Sequence, residues 1–421
     1  MGNKTINDSH IGDIGKHSGL YVPEPPFRPG EKNDFSHVYI PPAGASKRPE
    51  PTCKPFDITD LAYGLIRVLD DDNQAVGDWN INIEPNILIQ GLKDMQLTRM
   101  FDDRMQLMHR VGKISFYMKC TGEEAISVAH NLAIEKDDMI FPSYRNQGML
   151  ISRGEKLLNM MCQCLSNVKD NCKGRQLPIM YSSKALNFFS ISGNLTTQFS
   201  QAVGWAMAEA RKKGKQLATT FIGDGSTAEL DFHSALNFAA TYNPPVILNI
   251  VNNQWAISSN QRIAGGERTT FAARGIGFGL PSLRVDGNDF LAVYAATKWA
   301  AERARSGHGA TVIEYFTYRV APHSTSDDPS AYRPADEEKH WPLGDPLERL
   351  KTHLIHIGEW SEQQHEALVE EYTIRIKKAY KEAESYGTLK SGDRPDVTTM
   401  FEDVFEEITP NLIRQRQELG L

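Results

Sequence analysis

Three short apolar runs alternate with stretches of helical period, and this alternation constrains the chain more than any other feature. "KQLATTFI", ending at Ile222, "PPVILNIV", ending at Val251, and "TVIEYFTY", starting at Thr311, read as buried strands. Helical segments lie between them, one from about Asp231 to Tyr242 and another in "FLAVYAATKWAAERARS". Strands that alternate with helices predict a parallel sheet with helices on both faces, an α/β fold. Ahead of the strands, Leu97, Phe101, Met105 and Met108 fall on one face of a helix over about 88–110. Behind them, "SEQQHEALVEEYTIRIKKAYKEAESYG" opens with the capping-box pair Ser361 and Gln364 and stops at Gly387. These patterns divide the chain into a Pro/Gly-rich N-terminal arm (1–55), an α/β domain (56–345) and a helical C-terminal extension (346–421).

The arm cannot form a core of its own. Its aromatics Tyr21, Phe27, Phe35 and Tyr39 favour an arm laid across a partner over a disordered tail. The charge is mixed and mildly acidic, net −7 at pH 7, with no footprint for nucleic acid or an anionic membrane. No apolar stretch approaches the roughly 20 residues that span a bilayer. The start of the chain carries acids and no arginine, lacks an apolar secretory segment, and has Ile6 where a myristoylation signal wants Ser or Thr. The expected location is cytoplasmic. The cysteines number five, Cys53, Cys120, Cys162, Cys164 and Cys172. An odd count without a leader predicts free thiols, and the C-x-C in "MCQCLSNVKDNC" reads as buried thiols on a helix rather than a metal knuckle.

The first of the strands runs straight into Gly223-Asp224-Gly225-Ser226, and the second into Asn252-Asn253. Asp224 and Asn253 are 253 − 224 = 29 residues apart, about one βαβ unit. Consecutive strands of such a unit are parallel, so both residues belong at the carboxyl end of the sheet, where open α/β folds bind ligands. A carboxylate and an amide oxygen on neighbouring loops suit Mg²⁺ completed by phosphate oxygens. Glycines and a following helix start offer N–H groups to those phosphates. A tight strand-to-helix turn with an N-capping acid is the plainer reading of G-D-G alone.

G-D-G followed by N-N at the next strand end resembles the thiamine diphosphate signature. The longer stretches "KISFYMKCTGEEA", "SYRNQG", "KGRQLPIMYS", "ISGNLTTQFSQAVGWA", "GDGSTAELDFHSALNFA", "VNNQWAIS", "SLRVDGNDFLAVY" and "PHSTSDDPSAYR" resemble the alpha chain of the decarboxylating component of bacterial branched-chain 2-oxo acid dehydrogenases. "VPEPPFRPG" extends the likeness into the arm. The resemblance implies a thiamine diphosphate-binding fold with Mg²⁺ held by Asp224, Asn253 and the carbonyl of Trp255. Backbone groups of Gly225 and Ser226 would meet the diphosphate. Arg145 would hold a phosphate as a charge-assisted fork, supported by Tyr144. Ser192, Asn194 (by its carbonyl), Thr197 and Gln198 match ligands of a monovalent cation, usually K⁺, while Gly193 and Leu195 match cofactor contacts. His323 matches a catalytic histidine near the diphosphate and the reacting centre.

Two departures stand out. Val251 replaces an arginine of the mitochondrial branch, and Asp224 stands where that branch has glutamate. Ser324 matches a position phosphorylated in that branch, but nothing in the sequence shows a kinase partner. Phe116 is the candidate from this chain for shaping the side-chain pocket, with ordinary core packing as the alternative. The resemblance further implies oxidative decarboxylation of branched 2-oxo acids, with acyl transfer to a lipoyl group on a dihydrolipoyl acyltransferase core. It implies an assembly of two alpha and two beta chains, the beta chain supplying the activating glutamate. The alpha chains of pyruvate and acetoin dehydrogenases share the metal motif, but "HSTSDDPSAYR" and "GKISFYM" favour the branched-chain group. From another class, a non-catalytic nucleotide-binding scaffold would draw on "RGIGFGLP", whose G-x-G-x-G echo has no strand before it and reads as a turn.

Overall fold

The computed structural model describes residues 20–421; the leader and myristoylation readings fall on residues outside these. The centre is a five-stranded sheet built from β1 (Met139–Phe141), β2 (Ala218–Gly223), β3 (Val246–Asn252), β6 (Ser282–Asp286) and β7 (Thr311–Phe316), while β4 (Trp255–Ala256) and β5 (Ser259–Asn260) form a small antiparallel hairpin. The strand order is β1-β2-β3-β7-β6, and every neighbour pair is parallel. The expected parallel sheet is therefore present, with the three strands read from the sequence side by side at its middle. Registers Gly223↔Val251 and Asn252↔Phe316 bring the exits of β2, β3 and β7 to one edge.

Eleven helices follow the chain among the described residues: α1 (Pro85–Arg110), α2 (Glu124–Ala133), α3 (Gln147–Ser152), α4 (Leu157–Leu165), α5 (Thr197–Arg211), α6 (Leu230–Tyr242), α7 (Ala273–Ile276), α8 (Phe290–Arg303), α9 (Pro346–His356), α10 (Glu362–Ser385) and α11 (Pro410–Glu418). Successive strand residues point to opposite faces, and both faces are apolar. Ile222, Val246, Leu248 and Ile250 pack on Phe199 and Val203 of α5 and Phe232 and Leu236 of α6. Phe221, Ile247, Ile313 and Tyr315 pack in the cluster that holds α1, α2 and α8. At Gly91 a Cβ would come within 2.3 Å of the Phe290 ring, so α1 needs glycine there to close on α8.

The C-terminal helices join that larger cluster through Leu350, Leu354, Leu368, Tyr372, Ile376 and Tyr380. Ser361 caps α10 as its spacing predicts, its Oγ accepting from Gln364 N at 3.2 Å and donating to Gln364 Oε1 at 3.0 Å. All five cysteines are free; Cys162 and Cys164 are buried on α4, and Cys172 lies half-buried beyond it. Among the described residues no group of three or more His, Cys, Asp or Glu is arranged to hold a metal, and no helix is long and apolar enough to cross a membrane.

The described part of the arm lies on this chain's own fold. Phe35 is buried edge-on to Tyr318 and Trp341, at ring separations of 5.7 and 5.1 Å. Asn33 donates to Glu337, whose other oxygen accepts from Tyr318 Oη at 2.6 Å. Tyr21 donates to Glu267 at 2.8 Å, while Tyr39 stays exposed. The arm thus braces the segment that follows β7, and that segment carries His323.

Candidate functional site

A cleft of ≈ 520 Å³ opens at the carboxyl ends of β2 and β3, lined by Asp224, Asn253, Arg145 and His323 at its polar end and by Phe116 and Leu195 at its apolar end. A second cleft of ≈ 620 Å³, between the start of α1 and the end of α9, contains none of the residues singled out by the sequence. His353 on its wall is engaged with the Asn73 carbonyl at 2.9 Å. The Mg²⁺ and cofactor residues expected from the sequence line the cleft at the strand ends.

Asp224 is 2 % exposed, and its Oδ2 has no hydrogen-bond partner among the described residues. Burial pushes its carboxyl up to about 7, against the pull of the Gly225 N–H and Arg319. A desolvated carboxylate with an orphaned oxygen is a favourable place for a cation. Asn253 lies across the strand junction, its Nδ2 donating to Glu123 Oε1 at 2.7 Å and its Oδ1 3.3 Å from Trp255 N. The Trp255 carbonyl accepts from Arg319 Nη1 at 2.8 Å, so one lone pair of the expected third ligand is already engaged.

The glycines flanking Asp224 do different work. A Cβ on Gly225 would lie 2.4 Å from Ala256 Cβ, so glycine is required there by the β4–β5 hairpin. Gly223 has no atom within 4 Å of such a Cβ, and neither has Gly193, leaving both backbones open to the cleft. Ser226 is buried, and its carbonyl accepts from Thr196 Oγ1 at 2.8 Å. Thr196 holds φ at 68°, a region costly for a β-branched residue. This strained threonine ties the G-D-G-S turn to the "SGNLTTQ" loop.

In that loop the expected cation ligands gather on one turn. Ser192 Oγ and Thr197 Oγ1 both reach the Asn194 carbonyl, at 3.3 and 3.2 Å. Gln198 donates to the Phe221 carbonyl at 2.8 Å, and its buried Oε1 has no partner among the described residues.

Arg145 and His323 meet directly. Arg145 is buried, donating to the Lys119 carbonyl at 2.6 Å and to the His323 carbonyl at 2.6 Å, with Nη2 3.0 Å from His323 Nδ1. Arg319 Nη1 faces the same Nδ1 at 3.4 Å. Burial, then Arg145 and Arg319, push the His323 imidazole down to about 3. The ring is therefore neutral at working pH, and with Nδ1 accepting from guanidinium its proton sits on Nε2. Tyr144 packs edge-on to this ring at 5.9 Å and lines the cleft. Ser324 Oγ accepts from Ser326 N at 3.2 Å within the same loop.

Phe116 is half-buried, lining the cleft with Met118, Leu177 and Met180 while also touching the main core, so both readings of it meet in one position. Val251 is a core residue of β3, and its carbonyl accepts from Asp224 N at 3.1 Å. The segment 274–281 forms α7 and the turn before β6 and does not line the cleft.

Glu123, Arg319 and Thr196 were not legible as site residues. Arg319 is 1 % exposed and gathers the Trp255 and Ile257 carbonyls and Tyr332 Oη, at 2.8, 2.9 and 2.7 Å. Asp327 completes this mesh by accepting from His323 N and Tyr332 Oη, at 2.7 and 2.6 Å. The doubled acid in "TGEEA" was the available signal for Glu123.

The family described as "Dehydrogenase E1 component" matches residues 92–391, and "2-oxoisovalerate dehydrogenase E1 alpha subunit N terminal" matches residues 16–56. The chain is 59% identical over 402 residues to a 2-oxoisovalerate dehydrogenase subunit alpha of Pseudomonas aeruginosa, covering 96% of this chain and 98% of that protein. It is 39% identical over 364 residues to the mitochondrial 2-oxoisovalerate dehydrogenase subunit alpha of Mus musculus, covering 85% and 79%. The corresponding subunit alpha 1 of Arabidopsis thaliana is 38% identical over 360 residues, covering 84% and 74%.

Proposed function

Since the chain belongs to the dehydrogenase E1 component family, as an alpha subunit of the 2-oxoisovalerate dehydrogenase type, we propose that its strand-end cleft holds Mg²⁺ and the diphosphate of thiamine diphosphate. The chain works as the alpha chain of a branched-chain 2-oxo acid dehydrogenase, in oxidative decarboxylation with acyl transfer to a lipoyl acyltransferase. The observation that carries the cofactor placement is the orphaned, buried Oδ2 of Asp224 beside Asn253.

Thiamine diphosphate, when bound, supplies the carbanion chemistry that releases CO₂ from a 2-oxo acid. The protein binds, orients and excludes water. Asp224 and Asn253 hold Mg²⁺, with the free lone pair of the Trp255 carbonyl as a third contact. The Gly225 and Ser226 backbone and Arg145 take diphosphate oxygens, with Tyr144 beside them; Gly193 and Leu195 contact the rest of the cofactor. K⁺ would sit among Ser192, the Asn194 carbonyl, Thr197 and Gln198, keeping the strained turn at Thr196 in place. His323 presents a neutral Nε2–H toward the cleft and holds or donates a proton there. Phe116, Met118 and Met180 form the apolar wall that receives a branched side chain.

Asp224 is the only acid among the described residues lining the cleft, and its position at the metal leaves no carboxylate for the cofactor's ring. That supports a glutamate delivered by a beta chain, in an assembly of two alpha and two beta chains docked on a lipoyl-bearing core. The apolar rim supports the same reading: Leu195, Ile257 and Ile263 are 46%, 53% and 55% exposed.

The test is lipoyl-coupled NADH formation by the enzyme assembled with its beta chain and acyltransferase, with CoA, NAD⁺ and a dihydrolipoyl dehydrogenase supplied. The expected kcat/KM for branched 2-oxo acids exceeds that for pyruvate by about tenfold or more, since each methylene-sized group in an apolar pocket is worth roughly 1–3 kcal/mol. Equal use of pyruvate would return the chain to the pyruvate or acetoin reading. His323→Ala in the same assay should lower kcat by about 10²–10⁴-fold with cofactor affinity retained; full activity would remove His323 from the machinery.

A further inference from the structure

We propose that Glu123 is a positioning residue that fixes the amide of Asn253 for the metal and braces Arg145 for the diphosphate. Resting on the reading of Asn253 as a Mg²⁺ ligand, it assigns a task to a residue outside the ligand set.

Two adjacent acids open α2, and the structure separates their work. Glu124 is fully buried and satisfied, accepting from Arg99 Nε at 2.7 Å and from Gly122 N at 2.8 Å. It ties α2 to α1. Glu123 is 5% exposed and points the other way, toward the strand ends. Its Oε1 accepts from Asn253 Nδ2 at 2.7 Å and lies 3.9 Å from Arg145 Nε. One carboxylate oxygen is therefore hydrogen-bonded to the proposed metal ligand on β3's exit and forms a longer ion pair with the proposed phosphate ligand before α3.

The turn that carries Glu123 is held for this purpose. Gly122 has φ +98°, and a Cβ there would fall 2.3 Å from the Tyr318 carbonyl. Thr317 Oγ1 donates to the Gly122 carbonyl at 3.0 Å, and Val320 N to the Thr121 carbonyl at 3.2 Å. The turn is fastened along the exit of β7, which leaves Glu123 facing the junction of β2 and β3.

The physical consequence concerns one degree of freedom. A side-chain amide presents either oxygen or nitrogen to a cation, and only the oxygen binds. With Nδ2 committed to Glu123, the amide has one orientation, and Oδ1 is the atom turned away from Glu123. Without that acceptor the long contact from Trp255 N to Oδ1, at 3.3 Å, is the remaining hold on the amide's orientation, and a flipped amide aims an N–H at the cation. Groups that orient metal ligands in this way are typically worth 10–100-fold in metal affinity.

The experiment titrates Mn²⁺, as a probe for Mg²⁺, into the assembled alpha–beta enzyme with thiamine diphosphate present, reading free Mn²⁺ by electron paramagnetic resonance. Glu123→Leu should weaken Mn²⁺ about 10–100-fold, while Glu123→Gln, which keeps an acceptor oxygen, should stay near wild type. Asn253→Asp offers oxygen from either side and needs no orienting, so it should restore Mn²⁺ affinity to Glu123→Leu in the double variant. A Glu123→Gln as weak as Glu123→Leu, or a double variant without rescue, would overturn the orienting role. Wild-type affinity in Glu123→Leu would overturn it too, while Asp224→Asn in parallel tells which idea failed: if that variant loses Mn²⁺ the metal reading stands, and if it does not, the metal reading falls.

Discussion

Asp224→Ala should lower the affinity of the assembled enzyme for Mg²⁺ with thiamine diphosphate by about 10³-fold, with the fold retained. Two unit charges about 4 Å apart at an effective dielectric near 20 interact by about 4 kcal/mol, and a divalent ion in contact with a carboxylate loses at least that order when the carboxylate is removed. Stability should move the other way. The folded-state Asp224 carboxyl is raised to about 7 from 3.8, chiefly by burial. A carboxyl raised by folding costs stability as pH climbs from its unfolded value to its folded one, and the full cost applies above about 7. The unliganded Asp224→Ala chain should therefore melt no lower than wild type at pH 8, where the buried charge is absent from the variant alone. Calorimetric titration with Mg²⁺ and thiamine diphosphate, paired with thermal unfolding at pH 5 and pH 8, checks both halves. Unchanged cofactor affinity would remove Asp224 from the metal site. Lost affinity together with a lower melting temperature at pH 8 would make it a structural acid.

The second large effect is all-or-none. Purified without a beta chain, the protein should release no measurable CO₂ from branched 2-oxo acids with thiamine diphosphate, Mg²⁺ and lipoylated acyltransferase as acceptor present, and adding the beta chain should restore turnover. The cleft has a polar end fit for metal and phosphate, an apolar wall, and no second acid among its described lining residues. Its rim carries Leu195, Ile257 and Ile263 in contact with solvent. Robust turnover by the chain alone would show that the remaining catalytic carboxylate lies within it.

The strands visible in the sequence were those buried on both faces, because an unbroken run such as "VILNIV" has no other stable place. β1 is only Met139–Phe141, and β6, Ser282–Asp286, carries Arg284 and Asp286 inside a short run. Neither offers an apolar run long enough to stand out. The juxtaposition of the Asp224 and Asn253 strand ends was legible because sequence order fixes it: a βαβ unit places the ends of consecutive strands together. Residues brought in from distant segments leave no such trace. Glu123 meets Asn253 across 130 positions, and Arg145 meets His323 across 178. The aromatics of the arm predict that it lies on a folded surface, and Phe35 finds its aromatic neighbours at Tyr318 and Trp341 of the same chain. Proline and glycine content shows that a segment cannot build its own core, and does not show whose core it joins.

The exits of β2 and β3 are proposed to form the metal–diphosphate site. Crystals of the assembled enzyme grown with Mn²⁺ and thiamine diphosphate test it most directly, through the anomalous signal of the metal. One peak is expected in contact with an Asp224 carboxylate oxygen and Asn253 Oδ1, at about 2.0–2.1 Å if Mn²⁺ takes Mg²⁺-type coordination, with diphosphate oxygens completing the shell beside Arg145. A metal peak elsewhere in the chain, or a diphosphate bound away from the G-D-G-S turn, would contradict it.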